Sequence, residues 1–272
     1  MKLGEVGSKV RDSIVGTVKG AGTVADTTVD EIKDTTVRVL KGAGGIVKGG
    51  TDTIGDVVGG ALGAVDQIGE GLLKVVKGVV VGVVSTVGEV ATVTAGTISD
   101  TVRAAIKGTA AIGGDLTKAA SGTAQGVFSG AKEVGMSATD AAFSMAKAVV
   151  TGTSEVGGDV LAAVTGTVQG AVKGAQETGG DVLTAISDTA RGVVRGVGEV
   201  GGDVAEVTRT TISAAIGAAK ETGLSVEDAA SAAASGALEA AGKVGQSAVD
   251  AVTGVVGSTV DGVKVVVKGN NA

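Results

Sequence analysis

Large apolar residues recur along this chain at a fixed interval of 22 residues. When the frame begins at Leu3, the sixteenth position of every unit is large and apolar, in all twelve units. These positions are Val18, Leu40, Leu62, Val84, Ile106, Phe128, Val150, Val172, Val194, Ile216, Leu238 and Val260. The units cover residues 3–266 without an insertion or deletion, between a lead of residues 1–2 and a polar tail of residues 267–272. Regular self-similarity of this kind predicts a single repeat domain.

The apolar positions of each unit share one side of a helix. At about 100° per residue they fall within an arc of about 120°, while Lys, Arg, Gln and Glu collect on the opposite side. The twenty-first position is Glu in six units, and these acids are expected on a solvated face. Each unit is a doubled 11-residue repeat, with about 3.67 residues per turn. The pattern predicts an all-α protein of long amphipathic helices.

Small residues line one edge of that apolar arc, at the fourteenth and eighteenth positions of most units. The glycines of these two columns are Gly16, Gly20, Gly42, Gly60, Gly82, Gly108, Gly126, Gly130, Gly152, Gly170, Gly174, Gly192, Gly196, Gly236 and Gly262. Glycine costs up to about 1 kcal/mol relative to alanine inside a helix. Small residues four apart also let two helix backbones approach closely. The columns therefore predict a helix-packing ridge.

The ends of the helices are open to two interpretations. The motif GGD recurs at 113, 157, 179 and 201, so glycine could end one helix and Asp115, Asp159, Asp181 or Asp203 could cap the next. Against this, the helical phase runs through these motifs, and an inserted residue would rotate a continuous helix by about 100°. We therefore expect long continuous segments, folded into a few hairpins. A β-solenoid is the alternative fold, since Val and Thr are plentiful.

Composition excludes the usual catalytic chemistry. The chain contains no His and no Cys, so imidazole bases, thiolate nucleophiles and their metal sites are absent. The stretch from Gly196 to Gly201 matches the pattern GxGxxG, but it lacks the βαβ unit that dinucleotide binding requires. Bases alternate with acids and the net charge is −6, which argues against nucleic acid. We expect no enzyme activity, no metal, no cofactor and no small-molecule substrate.

The chain also lacks the sequence signals of export or membrane insertion. Its start, MKLGEVGSKVRDS, carries charges where a signal peptide has its apolar core. The longest uncharged runs are 13 residues, against about 18 for a helix that spans a bilayer. A cytoplasmic location is the default expectation.

Several stretches resemble known families of 11-residue helical repeats. GTVKGAGTVADTTVD (16–30) and GTVQGAVKGAQETGGDV (166–182) resemble the repeats of perilipins, which coat lipid droplets with amphipathic helices. AKEVG (131–135) and AKETG (219–223) resemble synuclein repeats, and TAQGVFSGAKEVG (123–135) is similar to late-embryogenesis-abundant desiccation proteins. The resemblance implies helices that coat an apolar surface.

Three functions follow from these patterns. The first is a non-enzymatic protein that coats a lipid droplet, granule or membrane through its apolar arc. The second is a self-assembling structural protein, in which glycine ridges lock helices of the same or another copy into a bundle or filament. The third is a desiccation or freezing-stress protein.

Overall fold

The computed structural model describes residues 4–21, 29–42, 46–68 and 71–267. These residues form twelve α-helices and one short β-hairpin. The elements are α1 (Glu5–Ala21), α2 (Val29–Gly42), α3 (Ile46–Ile68), α4 (Leu72–Val90), α5 (Ala95–Ala111), α6 (Leu116–Glu133), α7 (Ala138–Glu155), α8 (Val160–Thr178), α9 (Val182–Val200), α10 (Val204–Thr222), α11 (Val226–Val244), α12 (Gln246–Val255), β1 (Thr259–Val260) and β2 (Val263–Lys264). The all-α prediction is confirmed, and the β-solenoid alternative is wrong.

The preference for long continuous helices is also wrong, because the helices end at the glycine motifs. Gly179 follows α8 with a left-handed φ of 71°, which glycine adopts without steric cost. The next amide, of Gly180, donates to the carbonyl of Ala175 at 2.8 Å, as in a Schellman C-cap. Equivalent glycines with φ between 65° and 74° recur at 113, 135, 157, 201 and 223. A fixed repeat length is thus equally compatible with folded-back helices.

Acids and serines then begin the next helices. The Asp181 carboxylate accepts the amide of Thr184 at 2.8 Å, and Asp159 accepts that of Ala162 at 3.0 Å. Ser225 caps α11 in the same manner, through the amide of Asp228 at 3.1 Å. Such caps satisfy amides that have no partner inside the helix. Three residues therefore suffice to end one helix, reverse the chain and start another.

The helices are arranged in two layers. From α1 to α9, each helix packs more extensively against the helix two positions ahead than against its immediate successor. Odd-numbered helices therefore lie side by side in one layer and even-numbered helices in the other. The short turns between successive helices join the two layers. Valine, isoleucine and alanine fill most of the core, which extends along the stack.

A β-hairpin closes the even layer at its carboxyl end. Val260 pairs with Val263 across a turn in which Asp261 has φ 47° and Gly262 has φ 83°. Positive φ at both central residues defines the type I′ turn, for which the sequence Asp-Gly is favoured. Val260 and Val263 pack in the cluster formed by α10 and α11. The assignment of Val260 and Gly262 to a helix is therefore wrong.

Candidate functional site

The glycine columns lie where helices of the same layer meet. In α8, Gly166 and Gly170 face the backbone carbonyls of Thr117 and Ser121 in α6. A side-chain carbon on either glycine would collide with that carbonyl oxygen. One turn further on, a Cβ at Gly174 would lie 3.0 Å from the Cβ of Phe128. Over this stretch of α8, the absence of side chains permits the approach of α6.

The same contact is repeated between other pairs of neighbours. A Cβ on Gly126 of α6 would lie 2.8 Å from the Cβ of Val80 in α4. A Cβ on Gly196 of α9 would lie 2.9 Å from the Cβ of Val150 in α7. Similar crowding surrounds Gly60, Gly82, Gly108, Gly130, Gly192 and Gly236. Both layers therefore use glycine at their closest helix contacts.

The partners of these glycines advance in step with them, which shows that helices within a layer run parallel. Position 166 faces 117, 170 faces 121 and 126 faces 77, so in these three contacts the partner is 49 residues earlier. In glycine, a hydrogen occupies the site of the missing Cβ and is directed at the neighbouring carbonyl. Weak Cα–H···O contacts of this kind recur at closely packed helix interfaces. This interval equals two 22-residue units plus five residues, which places these contacts between helices two units apart.

Some glycines assigned to the ridge do not pack in this way. A Cβ at Gly16, in the first described helix of the odd layer, would have no atom within 4 Å among the described residues. At Gly152 the nearest atom, Arg103 Cγ, would be 3.5 Å away, an ordinary contact. Gly262 belongs to the hairpin turn. Gly20 lies outside the residues whose side chains are described.

The predicted apolar positions are buried in contacts within the molecule. Leu40, Leu62, Val84, Ile106, Phe128, Val150, Val172, Val194, Ile216 and Val260 are all buried. Leu238 is partly buried in a cluster near the carboxyl end, and Val18 falls outside the described side chains. Because each helix is joined to the other layer by a short turn, its apolar side is covered by its own chain. The arc is not presented to solvent in this structure.

The sequence analysis missed a ladder of ion pairs between neighbouring helices. Lys107 of α5 lies 2.7 Å from Glu155 of α7, and Lys147 of α7 lies 2.9 Å from Glu199 of α9. All six glutamates at the twenty-first position pair with a cation on an earlier helix of their own layer. These pairs involve Glu89, Glu133, Glu155, Glu177, Glu199 and Glu221. In three of these pairs, those of Glu89, Glu155 and Glu221, the cation stands 48 residues before the glutamate, a spacing that is visible in the sequence.

Two of these pairs reach past an intervening helix. Lys33 of α2 contacts Glu133 of α6 at 2.6 Å, and Lys77 of α4 contacts Glu177 of α8 at 2.6 Å. Ser85, on the intervening α4, also donates to Glu133 at 2.5 Å. Lys77 is only 15% exposed, so its hydrocarbon stem is largely covered. These contacts connect three helices at once.

The ion pairs alter the acidity of one ladder glutamate. The hydrogen bond from Lys107 holds the pKa of Glu155 below its ordinary value, against the opposing effect of partial burial. Arg103, at 3.5 Å, lowers this pKa further. The carboxylate is therefore stabilised in its charged form, which favours the paired arrangement above acidic pH.

The described residues offer little that resembles a reaction centre. No group of three or more acidic side chains there is placed to hold a metal ion. None of the described helices combines the length and apolar character required to cross a bilayer. A comparison with models of known protein families finds no match, and a search of curated proteins finds none either. The repeated interface between helices is therefore the feature from which a function can be argued.

Proposed function

We propose that this chain is a non-enzymatic structural protein, a scaffold in which glycine ridges join helices of one chain into a two-layered stack. The observation that carries the proposal is the contact of α8 with α6, where Gly166 and Gly170 meet backbone carbonyls. Helical glycines cost up to about 1 kcal/mol each, so their recurrence requires a compensating contact. Close backbone packing supplies that compensation.

The ion-pair ladder supports the same role. Surface pairs contribute little individually, about 0.2–1 kcal/mol. Here four of the six ladder pairs join helices that are two units apart, and they select one register of parallel neighbours. A slip of one helical turn would separate Lys107 from Glu155 and, in the same layer, Lys147 from Glu199. The glycine ridges allow neighbouring helices to pack closely, while the ion pairs fix the register of one helix against the next.

Coating of an apolar surface was the leading hypothesis from the sequence, and it has less support than the scaffold. Its apolar arc would have to leave the interior of the stack. Residues such as Ile106, Val150 and Ile216 are fully buried between helices. Binding to oil would therefore require the two layers to separate, at the cost of the core contacts. The stress-protein hypothesis has no specific support from these contacts.

Lipid-free protein provides the test. Circular dichroism, size-exclusion chromatography and small-angle scattering should show a helical, compact chain with a cooperative thermal transition. Neutral-lipid emulsion should leave the helix content unchanged. Replacing Gly126, Gly170 and Gly192 by Leu should abolish the transition. An expanded chain that gains helix only on the emulsion would exclude the scaffold and favour the surface coat.

A further inference from the structure

A cleft of about 700 Å³ opens where three helices of the odd layer, α7, α9 and α11, lie side by side. Its lining consists of Phe143, Lys147, Arg191, Arg195, Ala240 and Lys243. Pockets that bind small molecules have volumes of about 300–1,000 Å³. The cleft is thus of a size suited to a small organic ligand.

Positive charge dominates this lining. Four of its six side chains are cationic, and three carboxylates pair with them, those of Asp188, Glu199 and Glu239. Among the described residues, Lys147 pairs with one carboxylate, Glu199 at 2.9 Å, and an ammonium group carries three donors. The local excess of one positive charge contrasts with a net charge of −6 for the whole chain. The cleft therefore favours an anion.

Arg191 is held in position at the wall of the cleft. Its guanidinium contacts Asp188 at 2.9 Å and Glu239 at 3.4 Å, and lies 5.2 Å from the centre of the Phe143 ring. The Asp188 side chain is only 9% exposed, so this anchor is largely shielded from solvent. Groups that are already ordered lose little entropy when a ligand binds.

Phe143 is an unusual residue for its place in the repeat. It occupies the ninth position, where the other eleven units carry Arg, Lys, Ser, Thr or Gly. The only other phenylalanine in the chain, Phe128, is buried. Phe143 is partly exposed beside the cations, next to the small Ala240. An apolar wall beside a group of cations suits a ligand with an organic part and an anionic part.

We propose that this cleft binds a small organic phosphate. Lys147, Arg195 and Lys243 contact the phosphate oxygens, and Phe143 with Ala240 contacts the organic part. Arg and Lys bind phosphate through charge-assisted hydrogen bonds, which are about twice as strong as neutral ones. This binding role uses the polar side of the helices rather than their glycine ridges, although Lys147 also belongs to the ion-pair ladder through Glu199.

Isothermal titration calorimetry on the full chain at low salt, with adenosine diphosphate and with pyrophosphate as probes, tests the proposal. We expect one site per chain, with adenosine diphosphate binding more tightly than pyrophosphate. Lys147→Gln should weaken adenosine diphosphate binding about tenfold, the loss of one charged hydrogen bond. Lys107→Gln is the matched control, since it removes a lysine from an equivalent ion pair, with Glu155, outside the cleft. It should change the affinity less than about twofold.

Phe143→Leu tests the organic part of the ligand. It should weaken adenosine diphosphate about fivefold, as expected for the loss of an aromatic contact, and leave pyrophosphate unaffected. Thermal melts of each variant establish that the stack is intact. The site would be overturned if neither probe bound at 1 mM. It would also be overturned if Lys147→Gln and Lys107→Gln lost the same affinity for adenosine diphosphate. Equal affinity for the two probes would overturn the assignment of an organic ligand.

Discussion

Gly170 of α8 lies directly against the backbone carbonyl of Ser121 in α6, with no room for a side chain between them. The next nearest atom to a Cβ there would be the Cβ of Ala124, at 2.8 Å. Gly170 belongs to a small-residue column of the repeat, and this contact shows that the column lies at a helix interface. Glycine has the least favourable helix propensity of any residue except proline. Here it lies where the backbones of two helices are in close contact.

Gly170→Ala should destabilise the protein by about 1–3 kcal/mol, the usual cost of overpacking. The methyl group must displace the α6 backbone, which outweighs the better helix propensity of alanine. Gly217 provides the control, because it lies within α10 and a Cβ there would have no atom within 4 Å. Gly217→Ala should stabilise by about 0.5–1 kcal/mol. Urea unfolding measures both, and a stabilising Gly170→Ala would contradict the close contact.

Gly179→Ala should destabilise by about 1–2 kcal/mol, because alanine is strained in the left-handed conformation. Its neighbour Gly180 has no positive φ, and a Cβ there would meet its nearest atom at 3.6 Å. Gly180→Ala should therefore be close to neutral. Thermal unfolding of the two variants distinguishes them. Equal effects would mean that α8 does not end through Gly179.

Stability should depend on pH through Glu155. Its pKa is lowered in the folded protein, so its contribution is complete above the ordinary pKa of a glutamate and is lost as the pH falls through the lower folded value. Glu155→Gln should cost about 0.2–1 kcal/mol at pH 7 and almost nothing near pH 3. Urea unfolding across this range provides the measurement. In a Lys107→Gln background, the cost at pH 7 should be smaller; an undiminished cost would contradict the pairing.

Gly262→Ala should loosen the hairpin that covers the end of the even layer. The φ of 83° at Gly262 strains any other residue by about 1 kcal/mol. Hydrogen exchange should quicken in β1, β2 and the adjacent turns of α10 and α11. Exchange in α5 and α6 should not change, since these helices lie far along the stack. Uniform acceleration throughout the chain would indicate that the hairpin is not a local cap.

Individual helices were only partly predictable. The positions that fill the core follow from the helical period, as Ile106 and Val150 illustrate. The breaks at Gly179 and its equivalents are visible as capping motifs, but the unbroken helical phase favours long continuous segments folded into a few hairpins. A 22-residue interval accommodates both a continuous helix and a helix with a turn. Local sequence alone does not separate these arrangements.

The candidate sites were also only partly predictable from the sequence. Glycines such as Gly126 and Gly196 were identifiable by their four-residue spacing. The cleft at Phe143 was not, because its cations come from three helices and are far apart along the chain. In sequence, Lys147, Arg191 and Lys243 look like isolated charges on separate polar faces.

The sequence by itself determined the repeat, the helical period, the apolar side and the small-residue columns, since these depend on residue spacing along a single helix. Only the tertiary structure decided what lies against each side. Short turns return the chain to the opposite layer, which covers the apolar side, and an offset of 49 residues brings glycines such as Gly166 and Gly170 against an earlier backbone. Packing likewise brings Lys147, Arg195 and Lys243, which stand 48 residues apart in the sequence, to one cleft. These contacts are between residues of distant units, and their geometry depends on how whole helices pack.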